Sequence, residues 1–188
     1  MKNFLKEASS YIIIILIVIL FRSFIATPVK VDGPSMNDTL NDKELLLLSK
    51  ISYVTSDIER YDIVVIQNGN EKIIKRVYGL PGDKVEYRNN ILYINNEVVE
   101  DKYATNETSD FTIKDICIAK LKKDKIVSNE EIEKECTYDT ILDNYYLVLG
   151  DNRKVSADSR FYGLIPKENI VGKATFRFWP LDRIGKIE

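Results

Sequence analysis

The chain of 188 residues contains no histidine. No Ser-His-Asp or Cys-His arrangement can be built from it, so a serine or cysteine nucleophile would have to pass its proton to a lysine, a carboxylate or the amino terminus. Cysteine is scarce: Cys117 and Cys136 are the only two. Two thiolates with no imidazole beside them do not complete an ordinary structural zinc site, so neither a metal nor another cofactor is expected. An excess of charge is missing as well. The 27 basic and 29 acidic residues leave a net charge of -2, without the basic face that nucleic acid binding requires. Repeats and low-complexity tracts are also missing.

What is present favours β-structure: 11 Tyr, 7 Phe and many short Val/Ile-rich runs. The length suffices for one domain with a real core and is marginal for two. One apolar run stands apart, Tyr11 to Phe21 without interruption. As a helix it would reach only about 16 Å, against about 30 Å for a bilayer core. Extended from Ala8 to Ala26 it reaches about 28 Å, and Arg22 near the end can snorkel to the headgroups. A cleaved leader and a buried core element are the competing readings. No small-x-small site follows promptly, and nothing polar in the run would face water, so an uncleaved anchor is expected. Lys2 and Lys6 before the run lean slightly towards a cytoplasmic amino terminus.

Beyond the anchor the pattern predicts strands at 29–31, 44–48, 62–66, 73–78, 84–87, 91–94, 97–99, 144–149 and 170–179, the last ended by Pro180. Leu80-Pro81-Gly82-Asp83 suits a type II turn, and Asn89-Asn90 and Asn95-Asn96 are turn residues. Residues 101 to about 143 are more charged and more helical, with a capping box at Ser128 and Glu131. They read as an insertion without a catalytic role. Its two cysteines are either bonded to each other or two buried free thiols.

Three stretches carry chemistry. In Gly33-Pro34-Ser35, glycine and proline permit a sharp turn that exposes a hydroxyl and aims backbone N–H groups at a substrate oxygen. Ser35 lies within about 46 Å of extended chain from Phe21, close to a membrane surface. In Ile73-Ile74-Lys75-Arg76-Val77, Lys75 shares a strand face with Ile73, and burial among apolar groups lowers a lysine pKa towards that of a base. Arg76 reads as the solvent-facing charge of this pair. A water-facing Lys75, or one paired with Asp83, is the plainer reading. In Gly150-Asp151-Asn152-Arg153-Lys154-Val155-Ser156-Ala157-Asp158-Ser159-Arg160, the charges Asp151, Arg153, Asp158 and Arg160 can form a network beneath the site. Ser156 can orient the lysine amine. Each stretch alone is an ordinary turn, strand or charged loop.

As an ordered set, these three stretches and the anchor resemble the bacterial type I signal peptidases, membrane-anchored Ser-Lys proteases, from the anchor to Trp179, sparing only the insertion. The resemblance implies a mainly β, antiparallel, barrel-like catalytic domain behind one N-terminal transmembrane helix, with a small α-containing insertion. Residues 1–26 would be the cytoplasmic tail and anchor, and 27–188 the extracytoplasmic catalytic domain of a single-pass cell-membrane protein. It implies Ser35 as nucleophile, Lys75 as general base and Ser156 as the lysine-orienting hydroxyl, with Asp151, Arg153, Asp158 and Arg160 structural. Val31, Gly33, Met36, Leu40 and Ile74 match segments that line the substrate pockets. The implied partners are the signal peptides of secreted or surface preproteins, cut after Ala-x-Ala-like sites, the lipid bilayer and the export machinery. No cofactor is implied. Two positions depart from the pattern. Gly33 stands where some members carry an oxyanion-hole serine, which is similar to the Gram-positive variety, and Asp38 replaces a proline. The other readings are a self-cleaving Ser-Lys protease of the repressor type and a membrane-tethered β-domain that binds without catalysis.

Overall fold

The computed structural model describes Tyr11, Ile13 and residues 26–49, 57–124 and 128–187. The expected anchor lies almost wholly outside the described residues, among which no helix is long and apolar enough to cross a membrane.

The strands, numbered in chain order, are β1 (Ala26–Lys30), β2 (Leu45–Ser49), β3 (Ile63–Asn68), β4 (Glu71–Gly79), β5 (Val85–Arg88), β6 (Ile91–Ile94), β7 (Glu97–Val99), β8 (Phe111–Thr112), β9 (Tyr145–Leu149), β10 (Ile165–Pro166), β11 (Ile170–Trp179) and β12 (Gly185–Lys186). The described helices are α1 (Ile113–Asp124), α2 (Asn129–Glu135) and the single turn α3 (Ser159–Tyr162). The larger sheet has the order β1-β2-β11-β3-β4-β9-β10, with β12 on β11, and the smaller has the order β7-β6-β5-β8. All of the pairings are antiparallel. The expected mainly β, antiparallel architecture is what the chain adopts.

The larger sheet is covered on both faces. Side chains alternate across a strand, and along β3 Ile63 and Val65 enter one apolar cluster while Val64 and Ile66 enter another. This is why β3 is apolar at four successive positions instead of alternating. A third cluster fills the smaller sheet and joins it to the larger through Tyr78, Leu147 and Leu149.

Local chemistry sets the corners. Asn89, Asn90, Asn95 and Asn96 all have positive φ, from 52° to 68°, the backbone that two-residue hairpin turns demand and that asparagine tolerates. At Leu80–Asp83, Gly82 sits at φ +84° and the Asp83 N–H donates to the Leu80 carbonyl at 3.0 Å.

Residues 101–143 hold α1 and α2. Ile113, Ile116 and Cys117 turn the buried side of α1 inward, and α2 opens on the capping box formed by Ser128 and Glu131. Cys117 and Cys136 are joined in a disulfide with Cα atoms 5.8 Å apart, which decides between the two states left open by the sequence. Closing a loop of this length restricts the unfolded chain by about 3 kcal/mol. The Cys117→Ser/Cys136→Ser variant is therefore expected to lose about 3 kcal/mol of unfolding free energy in urea denaturation of the full chain in detergent. Reduced wild type should match it.

Candidate active site

The turn that carries Ser35 is built between β1 and β2. Val31 N–H donates to Glu44 O at 2.8 Å and Lys43 N–H to Val31 O at 2.9 Å, closing the base of the loop. Gly33 takes φ +84°, a region that costs a side chain energy, and its N–H donates to Asp42 Oδ1 at 3.0 Å. Asn37 N–H to Pro34 O and Leu40 N–H to Met36 O wind residues 34–40 into a compact turn. Asp38, in the place of the expected proline, is part of this turn. Ser35 is half-buried on it, and its N–H makes no hydrogen bond with the described residues.

Lys75 comes from β4, opposite Val64 on β3. It is 3% exposed, and its Nζ lies 2.7 Å from Ser35 Oγ. Burial lowers its pKa to about 8, partly opposed by the charges of Asp158 and Asp151. The inward-facing lysine expected from the strand pattern is what the fold contains, and Asp83 pairs with Arg60 instead. A hydroxyl in contact with a buried amine whose pKa has fallen this far can be activated as a nucleophile without an imidazole.

Arg76 overturns an expectation. It does not face solvent and is fully buried. Its Nε and Nη2 donate to the two oxygens of Asp151 at 3.0 and 2.9 Å, its Nη1 donates to Tyr61 O at 3.0 Å, and its guanidinium lies 3.6 Å from the ring centre of Tyr103. A two-pronged guanidinium–carboxylate pair tolerates burial because each charge is met by directed hydrogen bonds. Asp151 Oδ2 also accepts from Thr39 Oγ1 at 2.6 Å. One buried pair thus joins β4, the loop after β9 and the turn that carries Ser35.

The loop 150–160 is braced by its own charges. Asp158 accepts from Gly150 N–H at 3.0 Å and from Arg160 Nε and Nη2 at 2.9 and 2.8 Å, and Arg160 reaches Arg153 O at 2.8 Å. Asn152 N–H donates to Ser35 O at 3.1 Å, pinning the loop to the turn. Gly150 makes that approach possible: a Cβ there would lie 2.6 Å from Ser35 O and 2.7 Å from the Ser156 Cβ. The four charges fall into three ion pairs instead of one network: Asp151 with Arg76, Arg153 with Asp101 at 2.8 Å, and Asp158 with Arg160. Ser156 Oγ is buried and makes no hydrogen bond with the described residues.

Of the residues matched to substrate pockets, Val31, Met36, Leu40 and Ile74 meet in one cluster with Leu46, Leu48 and Val65, each exposed by 7% or less. Gly33 stands apart from them, on the loop. Several participants escaped sequence reasoning. Glu44, 2% exposed, binds Arg177 at 3.1 Å and Arg183 at 2.6 Å. Arg177 also donates to Thr39 O at 3.1 Å, so the end of β11 supports the Ser35 turn from below. Only the unusual density of charge in otherwise apolar β segments, Glu44 beside Leu45–Leu48 and Arg177 between Phe176 and Phe178, marks them in the sequence.

The family model described as signal peptidase, peptidase S26, matches residues 3–179. Signal peptidase IB of Staphylococcus aureus (strain Mu50 / ATCC 700699) is 38% identical over 189 residues, covering 95% of this chain and 91% of its own. Signal peptidase I of Streptococcus pneumoniae (strain ATCC BAA-255 / R6) is 36% identical over 212 residues, covering 98% and 97%. A crystal structure of a signal peptidase I from Enterococcus faecalis V583 has a TM-score of 0.48 and 32% identity, covering 64% of this chain and 98% of that one. The chain belongs to the signal peptidase family, peptidase S26. It is a serine endopeptidase of the kind that removes signal peptides.

Removing one partner of a buried pair strands the other charge, which costs about 3–5 kcal/mol. Arg76→Met is expected to destabilise the protein by that amount in urea denaturation, and Arg76→Met/Asp151→Leu to recover much of it.

Proposed function

We propose that Ser35 is the nucleophile and Lys75 the general base of signal-peptide cleavage. The observation that carries this reading is the 2.7 Å approach of Lys75 Nζ to Ser35 Oγ, made by a buried lysine whose pKa has dropped to about 8. Neutral Lys75 takes the Ser35 proton as Oγ attacks the scissile carbonyl carbon. The oxyanion is received by backbone N–H groups, chiefly that of Ser35, which is left unpaired by the described residues. The lysine ammonium then protonates the departing amine, and the neutral amine formed again draws a proton from the water that hydrolyses the acyl-enzyme. Ser156 Oγ makes no bond to the lysine amine in this structure, and it orients that amine only once its hydroxyl turns to it during this cycle. Asp151, Arg153, Asp158 and Arg160 hold the loop in place, and no metal or cofactor takes part.

The substrates are signal peptides of exported preproteins, with small residues, usually Ala, one and three positions before the cut. Val31, Met36, Leu40 and Ile74 wall the pockets for them, and Gly33 leaves the chain clear where the substrate backbone passes. Residues 8–26 anchor the chain with its amino terminus in the cytoplasm. Residues 27–188 then work at the outer membrane surface, beside preproteins delivered by the export machinery. The 101–143 segment is an insertion on that domain.

The test is cleavage of a preprotein with an Ala-x-Ala site by the purified full chain in detergent. Wild type should cut at that site. Ser35→Ala should remain folded and lose activity by about three orders of magnitude or more. Lys75→Arg should be equally inactive, because arginine does not deprotonate in a protein; a working Lys75→Arg enzyme would remove Lys75 as the base.

The pH profile has a determined sign. The reactive form is neutral Lys75, so kcat/KM should rise about tenfold per unit below pH 7 and level off above an apparent pKa near 8. A rate that falls from acid to neutral pH would assign the base to a carboxylate.

A further inference from the structure

The segment Asp101–Thr108, between β7 and β8, contains no strand or helix, yet Asp101, Thr105, Asn106 and Thr108 all reach the loop 150–154. Arg153 Nη2 lies 2.8 Å from Asp101 Oδ2; its N–H is turned off the line of a hydrogen bond, so that contact is a charge pair. The same carboxylate accepts from Tyr78 OH at 2.7 Å and from Tyr87 OH. Arg153 Nη1 donates to Thr108 Oγ1 at 2.5 Å and Tyr87 OH at 2.7 Å, and Arg153 Nε donates to Gly150 O at 3.0 Å. Further along, Thr105 N–H donates to Asp151 O at 3.0 Å. Asn106 clasps the loop from both sides, donating to Asn152 Oδ1 at 2.8 Å and accepting from Lys154 N–H at 2.9 Å.

The residues gripped in this way, 150–154, touch Ser35 and the chain neighbour of Lys75. Asn152 N–H holds Ser35 O, and Asp151 holds Arg76, the neighbour of Lys75. Arg153 is 3% exposed. Without the Asp101 charge its buried cation would face only neutral acceptors, and a charge so stranded moves its surroundings or drags in water.

We propose that Asp101 is a positioning residue for signal-peptide cleavage: through Arg153 it seats the loop Gly150–Lys154 against the nucleophile turn, and Asn106 is the second latch of the same strap. The proposal rests on the assignment of Ser35 and Lys75 above. Asp101 itself meets no substrate. Displacing reacting groups by about 1 Å lowers turnover by about a hundredfold, whereas substrate pockets made elsewhere keep their affinity. The expected signature is a loss in kcat with KM unchanged.

The experiment compares wild type, Asp101→Asn, Asn106→Ala and, as a control on the same segment, Glu107→Gln, all as full chains in detergent. Cleavage of the Ala-x-Ala preprotein is expected to lose about tenfold to a hundredfold in kcat for Asp101→Asn, about tenfold for Asn106→Ala and nothing for Glu107→Gln, with KM within about twofold throughout. Amide hydrogen exchange gives a readout independent of activity. The N–H groups of Thr105 and Asn152 should exchange at least about tenfold faster in Asp101→Asn, while those of β3 and β4 keep wild-type rates. A uniform acceleration would mean general destabilisation and overturn the positioning role, as would unchanged kcat or unchanged exchange at residues 150–152. Should Asp101→Asn not fold, Asn106→Ala decides by the same two criteria, since it removes only half-exposed contacts. If wild type fails to cut the preprotein, the catalytic assignment falls and the exchange data alone decide whether the strap seats the loop.

Discussion

The pair between Arg76 and Asp151 is the constraint on which the rest of this site depends. Both side chains are fully buried, so neither has water to fall back on, and each must keep the other within hydrogen-bonding reach. Three separated pieces of chain are fixed by that requirement: β4 through Arg76, the loop after β9 through Asp151, and the Ser35 turn through Thr39. The turn has a second support, Glu44 with Arg177 and Arg183, which reaches the carbonyl of Thr39 from the other side. A half-buried serine is thus held between two ionic clamps, and its own backbone carbonyl is tied to Asn152.

Lys75 and Arg76 are chain neighbours with opposite fates. Alternation along β4 sends them to opposite faces. Arginine keeps its charge under any burial, which suits it to a permanent pair. The lysine lies near Asp151 and Asp158, whose charges only partly oppose burial, so its affinity for a proton falls. The difference between a paired cation and a lysine of lowered pKa is produced here by which of two adjacent positions has a carboxylate in contact.

Much of this was legible in the chain. The strands follow from apolar runs and the corners from asparagine pairs and Pro-Gly, and Ser35 and Lys75 were brought together as the ordered motifs implied. Arg76 was misread because strand alternation says which face a residue takes, not whether that face is wet. Its partner, Asp151, is 75 positions away, a distance that no local pattern spans. The same limit hid Asp101, whose neighbourhood looks like the start of a charged insertion. The disulfide was undecided because spacing alone does not report whether two Cβ atoms face each other.

The topology carries a consequence for synthesis. β11 lies between β2 and β3, so the larger sheet has no continuous centre until residues 170–179 arrive. The Glu44 clamp likewise waits for Arg177 and Arg183. A nascent chain that already displays Ser35 and Lys75 still lacks the strand that joins their supports. Long-range pairing of this kind closes late. Until β11 is in place, the two pieces of chain that carry Ser35 and Lys75 are not joined in one sheet.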